Sequence, residues 1–276
     1  MNIVDSQVHI WAANSPERPW SETSSAHMDE PLTADKVSKA MDEAGVTQAI
    51  LVPPSIDGDR NDLALAAAQA HPNRFAVMGR LLLDKPGARE RLEGWKEQKG
   101  MLGVRLTFHR DHDRALIDNG AADWFWPAAE RLGIPVMLHA PERLPVVAAI
   151  AKRHPGLTII VDHIGFARET MDAEAPAGAR RMLELASLPN VSVKVSAMPC
   201  FSTDPYPFRN LRDSIRRVIE GFGVERSYWG TDYSRLPPSC SYRQAVTMFT
   251  EEMGLSPSDL EWVMGKALAK RLGWAI

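Results

Sequence analysis

Short apolar runs alternate with stretches of helical periodicity along the whole chain, at intervals of roughly 30 residues, as in repeated strand–helix units. The strand-like runs fall at 3–11, 46–52, 75–83, 102–108, 134–139, 157–163, 191–196 and 227–232. Between them the pattern predicts helices. Thr33 is an N-cap before Asp35, with Val37, Met41 and Ala44 on one face and Gly45 as the stop. Further helices are expected at 61–71, 86–98, 121–132, 141–154 (with Pro141 in the first turn), 179–186, 211–222, 242–253 and 257–272. Eight strand–helix beats predict a (β/α)8 TIM barrel, one domain over residues 1–276. A doubly wound open sheet is the alternative. It calls for a Gly-rich dinucleotide turn after the first strand, and none is present.

The polar residues inside these runs sharpen the picture. In the first run Val4, Ser6, Val8 and Ile10 share one face, and Ile3, Asp5, Gln7, His9 and Trp11 the other. A plain core strand does not carry Asp, Gln and His on one face. In the seventh, Val191, Val193 and Val195 alternate with Ser192, Lys194 and Ser196. The apolar face packs on helices, so Lys194 lies inside and needs a partner, with Asp5 or Asp232 as candidates, or a task. Barrel enzymes carry their catalytic groups at the carboxyl ends of strands. Those ends offer Gln7, His9, Arg80, Arg105, His109, His139, His163, Lys194, Ser196 and Asp232. A closed sheet brings His9, His139, His163 and Asp232 into one pocket.

A single strand-end histidine is more often a satisfied structural residue than a catalyst. Converging titratable groups are a functional-site signature. Asp162 alternates with His163 and is expected to point away from the lumen. His27, His71, His112 and His154 fall in loops or at helix ends and read as surface residues. The proline-punctuated segment 12–31 is a long loop, and Trp20 within it is placed to cover a pocket.

Bulk properties narrow the partners. A net charge of -3 and the absence of a basic stripe argue against nucleic acid or an anionic membrane. Two cysteines, Cys200 and Cys240, form no disulfide framework and read as free thiols. The N-terminus lacks a signal-peptide pattern and no apolar run is long enough for a bilayer, so a cytoplasmic location is expected. Oligomeric state is not legible.

The segments Val4-Asp5-Ser6-Gln7-Val8-His9, Gly103-Val104-Arg105, His139, Asp162-His163-Ile164-Gly165, Val193-Lys194-Val195-Ser196, Trp229-Gly230-Thr231-Asp232 and Met264-Gly265-Lys266-Ala267-Leu268 together resemble the amidohydrolase superfamily, in its amidohydrolase-2, lactonase-like branch. The resemblance covers nearly the whole chain. In that family the first strand usually reads His-x-His, both metal ligands; here the first position is Gln7, a poor ligand beside imidazole. The fourth strand offers no lysine to bridge two metals, so a dinuclear site is not expected. His9, His139 and Asp232 remain as ligands for a single zinc. The branch also includes metal-independent members, and the loss of one ligand favours that alternative.

The resemblance implies a hydrolase: a lactonase acting on a lactone of a sugar acid or of a carboxylated ring compound, with no cofactor required. Asp232 is the expected general base. Arg105, His163 or Lys194 is expected to meet the oxyanion. Arg80 and Arg105 hold carboxylate or hydroxyls, and Gln7, His9 and His139 position water or substrate. Trp11, Trp20 and Tyr233 offer flat walls. Alternatives on the same barrel are a lactone isomerase or a mononuclear zinc-dependent hydrolase or decarboxylase. From another class, a barrel that binds a small acid without turnover also fits.

Overall fold

The computed structural model describes every residue except 23, 29, 238 and 276. Eight parallel strands run in sequence order: β1 (Val4–Val8), β2 (Gln48–Leu51), β3 (Phe75–Arg80), β4 (Met101–Thr107), β5 (Val136–His139), β6 (Ile159–Val161), β7 (Val191–Ser196) and β8 (Ser227–Gly230). Helices lie between them, so the chain is a single-domain (β/α)8 barrel. The strands are shorter than their apolar runs because several runs continue into the loops above the barrel. The helix Ala34–Ala44 starts at Thr33, whose side chain accepts from the Lys36 amide, and stops at Gly45 in the left-handed region.

Three local expectations are corrected. Pro141 does not open a helix: the helix is Leu144–Arg153, with Pro145 in its first turn, and Glu142 ahead of it has φ 64°. A helix at Asp111–Asp118 follows β4 where no helix was expected. The last helical stretch is divided into Pro257–Glu261, a wider turn at Trp262–Lys266, and Ala267–Leu272. Gly265 in that turn lies against β1, where an added Cβ would meet the Asn2 carbonyl and Val4 Cγ2, each at 2.9 Å.

The core has two parts. The larger surrounds the barrel, where Val77, Val104, Leu138, Val161, Val193 and Trp229 face the helices. The smaller fills the barrel's lower interior with Val4, Ile50, Met78, Met137, Ile160 and Tyr228. Valines 191, 193 and 195 pack outward, as their alternation requires, and Lys194 lies inside. β1 departs from strict alternation. Its register against β2 shifts between Asp5 and Val8. Val4 therefore faces the interior and Val8 the helices, although they were expected on one face. An extra residue in one strand re-aims the side chains beyond it.

No ladder joins β8 to β1 among the described residues. The seam is held by the Asp232 amide donating to the Gln7 carbonyl at 3.0 Å and by the Asp5 side chain. Asp5 accepts from the Gln7 amide (2.9 Å), the Thr231 amide (2.9 Å), the Tyr242 hydroxyl (2.7 Å) and the Thr231 hydroxyl. Gly230 allows this approach: a Cβ there would sit 2.3 Å from Ser6 Oγ. Asp5→Ala leaves four donors without their acceptor. We expect a stability loss of about 2–4 kcal/mol in urea unfolding; a loss below about 1 kcal/mol would show that the seam does not depend on this carboxylate.

Candidate active site

The carboxyl ends of the strands surround a cavity of about 240 Å³. Gln7, His9, Trp11, Arg105, His139, His163 and Asp232 all line it. The sequence-selected histidines and Asp232 thus do converge. Lys194 lies below the floor, fully buried, and lines no described cavity. Arg80 opens into a neighbouring cavity of about 250 Å³, which shares Ser55, Arg105, Thr107 and Arg110 with the first. Neither Trp20 nor Tyr233 lines the main cavity; Tyr233 stacks on Tyr242 at 4.8 Å instead.

The backbone is strained where these groups gather. His163 (φ 54°), Ile164 (φ 57°), Ala197 (φ 58°) and Asp232 (φ 52°) all lie in the left-handed region, just past β6, β7 and β8. A β-branched residue there is a true outlier, and such strain concentrates at functional sites. It also explains one error of alternation. Asp162 and His163 belong to a tight turn beyond β6, so both point inward. Asp162 does not face the helices. It pairs with Lys194 Nζ at 2.9 Å and Arg105 Nε at 3.1 Å. The partner of Lys194 is therefore Asp162, rather than Asp5 or Asp232. Burial opposes ionisation of Asp162, but Lys194 and Arg105 outweigh it and hold the carboxyl well below the usual range.

Gln7 is fixed by what surrounds it. Lys194 can only donate, so its 2.8 Å contact identifies Gln7 Oε1 as the acceptor. The Gln7 amide nitrogen then faces His163 Nε2 at 3.4 Å. His163 Nε2 is an acceptor in this network, and its Nδ1–H donates to Ser196 Oγ at 2.8 Å. Burial drives His163 well below the ordinary histidine value, which agrees with a neutral ring. His139 faces the Phe166 carbonyl through Nε2 at 3.1 Å; burial and the Arg105 charge push it down to about 4.

Asp232 is the ionised centre. Burial would raise it, but His9 first and Arg235 after it hold it well below the usual carboxylate range. Its Oδ1 lies 3.0 Å from His9 Nε2, and Oδ2 lies 3.7 Å from both His163 Nε2 and Arg235 Nη1. His9 Nδ1 is 2.6 Å from the Val52 carbonyl and must donate there. Nε2 then needs its own proton to face a carboxylate, so the His9–Asp232 pair holds a proton between its two atoms.

Several lining residues were not selected from the sequence. Arg168 and Arg235 face the main cavity, and so does His27, which sits edge-on to His9 at 5.9 Å and donates to or accepts from Ser234 Oγ at 2.8 Å. His27 had read as a surface residue; the loop after β1 folds back over the barrel and places it at the mouth. His112 lies at the edge of the second cavity and pairs with Asp84, its side chain largely exposed as expected. His109 lines the main cavity beside His139, with ring centroids 5.7 Å apart, and burial pushes it down to about 3. The one sequence signal for Arg235 was its place three residues after Asp232. Burial pushes the Cys200 and Cys240 thiols up to about 11 and about 12, so neither is a ready nucleophile.

The Amidohydro_2 amidohydrolase family matches residues 4–272. This chain belongs to that family. Its relatives include an L-fucono-1,5-lactonase from Burkholderia ambifaria, 23% identical over 240 residues that make up 83% of this chain and 79% of the relative. Among solved structures, an amidohydrolase from Burkholderia multivorans with bound zinc is 22% identical, with a TM-score of 0.82 and full coverage of both chains. A probable 2-pyrone-4,6-dicarboxylic acid hydrolase from Acinetobacter baumannii with bound citric acid is 20% identical, with a TM-score of 0.77, covering 99% of this chain and 100% of that one. At such identity these structures speak to the fold.

A metal is common in amidohydrolases, and the residues here do not make a full ligand set for one. His9 Nε2 and Asp232 Oδ1 face each other, but His139 Nε2 is committed to the Phe166 carbonyl. Gln7 turns its amide donor toward the site and its oxygen to Lys194. Among the described residues, no three His, Cys, Asp or Glu side chains lie close enough to hold one ion. Nor is any described helix long and apolar enough to cross a membrane.

Neutral buried histidines make stability depend on pH. The ordinary value is 6.5 and the folded value of His139 is about 4, so between these the unfolded chain binds more protons. The contribution is complete above 6.5 and is lost as pH falls toward 4. The urea midpoint of the wild type should therefore drop over that interval, and drop less in His139→Gln. A midpoint flat from pH 6.5 to 4 would contradict the neutral assignment.

Proposed function

We propose that this amidohydrolase opens a lactone of a sugar acid or a carboxylated ring compound, with Asp232 as general base and without a metal. The observation that carries this reading is Asp232 itself: a buried carboxylate, held ionised at the end of β8, facing a cavity rich in arginine. The names of the B. ambifaria lactonase and the A. baumannii hydrolase agree with a cyclic ester as substrate.

In the reaction, water sits against Asp232 and attacks the ring carbonyl as its proton passes to the carboxylate. The tetrahedral oxyanion forms beside Arg105, whose charge it meets. The ring C–O bond then breaks, and the proton on Asp232 returns to the departing alkoxide. The product is an open hydroxy acid, which releases a proton to solvent. His9 keeps Asp232 ionised and oriented, and His139 lies over the cavity as a neutral neighbour of the ring. His163 presents a lone pair to Gln7, so it orients the floor rather than donating to the oxyanion. Lys194 acts through Gln7 and Asp162. Trp11 forms a flat wall.

A low pKa keeps Asp232 charged but limits its basicity. Proton transfer to so weak a base offers less assistance, which suits an activated cyclic ester better than an amide. The facing pair His9 Nε2 and Asp232 Oδ1 favours the zinc-dependent alternative.

Proton release from a panel of sugar-acid and carboxylated lactones, with chelator-treated protein of verified metal content, tests the reading. Metal-free protein is expected to turn over. Silence that zinc reverses would overturn metal independence. Silence under both conditions would overturn the lactonase reading. Asp232→Asn is expected to lose about 10²–10⁴-fold in kcat with an unchanged melting temperature; retained turnover would remove Asp232 as the base. Arg105→Met should lower kcat and raise KM together.

A further inference from the structure

The second cavity is built around an arginine without an anion. Arg80 leaves the end of β3 and is buried. Its Nε donates to the Gly58 carbonyl at 3.0 Å and its Nη1 to Thr107 Oγ1 at 3.4 Å. Its backbone is clamped on both sides by Asn61, which accepts from the Arg80 amide at 2.7 Å and donates to its carbonyl at 3.0 Å. Among the described residues no carboxylate lies within 4.0 Å of the guanidinium. Burying a cation without a direct ion-pair partner is costly, and Asp113 and Asp59 act on this one only from beyond ion-pair distance. Burial and the nearby Arg105 charge push Arg80 down from its ordinary value, the direction expected of a cation short of an anion.

Thr107 adds a second element. Its Oγ1 accepts from Arg80 Nη1 and from Arg105 Nη1. With those two bonds received, the hydroxyl proton remains to be donated. Thr107 and Arg105 stand in the wall between the two cavities and line both. Two acids also line this cavity: Asp84, which is engaged by His112, and half-buried Asp113, which feels the Arg80 charge but makes no ion pair with it.

Each cavity, at about 240 and about 250 Å³, is smaller than the ~300–1,000 Å³ usual for a small-molecule site. A single ligand spanning the shared wall accounts for both. We propose that the second cavity is a subsite for a further anionic group of the substrate, a carboxylate on an arm extending from the reacting ring, received by Arg80 and the Thr107 hydroxyl. The substrate class is then a lactone with a carboxylate displaced from the scissile ester toward β3. The placement of the ring rests on the lactone-hydrolase reading; the anion subsite rests on Arg80 and Thr107 alone.

Binding separates the two. Calorimetry on the wild-type protein would compare benzoate with benzene-1,3-dicarboxylate and 3-(carboxymethyl)benzoate, none of which can be hydrolysed. At least one dianion is expected to bind about 10- to 100-fold tighter than benzoate, the range for a charge-assisted hydrogen-bonded contact. Arg80→Met should remove that gain, bringing the dianions down to the affinity of benzoate in the same variant. Thr107→Val, which keeps the shape and deletes the hydroxyl, should reduce the gain in part and guards against a folding defect in the arginine variant. Equal affinity for all three acids in the wild type would overturn the subsite, as would a dianion gain that survives Arg80→Met. These results stand whether or not any lactone is hydrolysed. Where lactones do turn over, Arg80→Met should raise KM for carboxylated substrates and spare neutral ones.

Discussion

The Asp5 carboxylate holds the barrel shut, and the site depends on that closure. Among the described residues β8 reaches β1 without a strand ladder, and a backbone bond from Asp232 to Gln7 supports the join. Asp5 supplies the rest by gathering donors from β1, from Thr231 and from the helix beginning at Tyr242. Thr231 is the residue immediately before Asp232; Gln7 follows Asp5 on β1 and His9 lies just past the end of that strand. One buried side chain thereby sets the distance between the proposed base and the residues that control its charge. The tight contact needs glycine at position 230, because any side chain there would fall on Ser6.

Around that seam the charges are arranged in two levels. Below the floor, Lys194, Asp162, Arg105 and Gln7 form a connected set in which each cation has an acceptor. Above it, Asp232 stays ionised, paired with His9 and flanked by the neutral rings of His139 and His163. Burial and neighbouring arginines suppress protonation of the rings, while the same positive surroundings favour the carboxylate. A single environment therefore sets opposite charge states on the two residue types. The strained turns after β6, β7 and β8 are part of this arrangement, since they direct Asp162, His163 and Asp232 to positions that regular strand geometry would deny them.

The arginines extend the positive field beyond the reacting centre. Arg105 belongs to both levels, paired with Asp162 below and lining both cavities above. Arg80 continues the same face toward β3, with Asp113 and Asp59 acting on it only from beyond ion-pair distance. Such polarity favours anionic over cationic groups on this face.

Much of this was legible in the chain itself. The eight beats gave the barrel because a parallel sheet covered on both faces requires continuous apolar strands with helices between them. Val191, Val193 and Val195 were enough to put Lys194 inside. The strand-end rule located Gln7, His9, Arg105, His139, His163 and Asp232, because the carboxyl ends of barrel strands all open on one face. Local patterning could not reveal what depends on contacts far apart in sequence or on departures from regular geometry. The bulge in β1 exchanged the environments of Val4 and Val8, and the left-handed turn after β6 brought Asp162 inward to Lys194. The fold-back of the loop after β1 brought His27 to the mouth, and Arg80 was placed beside the main cavity rather than in it. Period and residue type determined which groups gather at the barrel's mouth; closure of the sheet, with its bulge and strained turns, decided which of them touch.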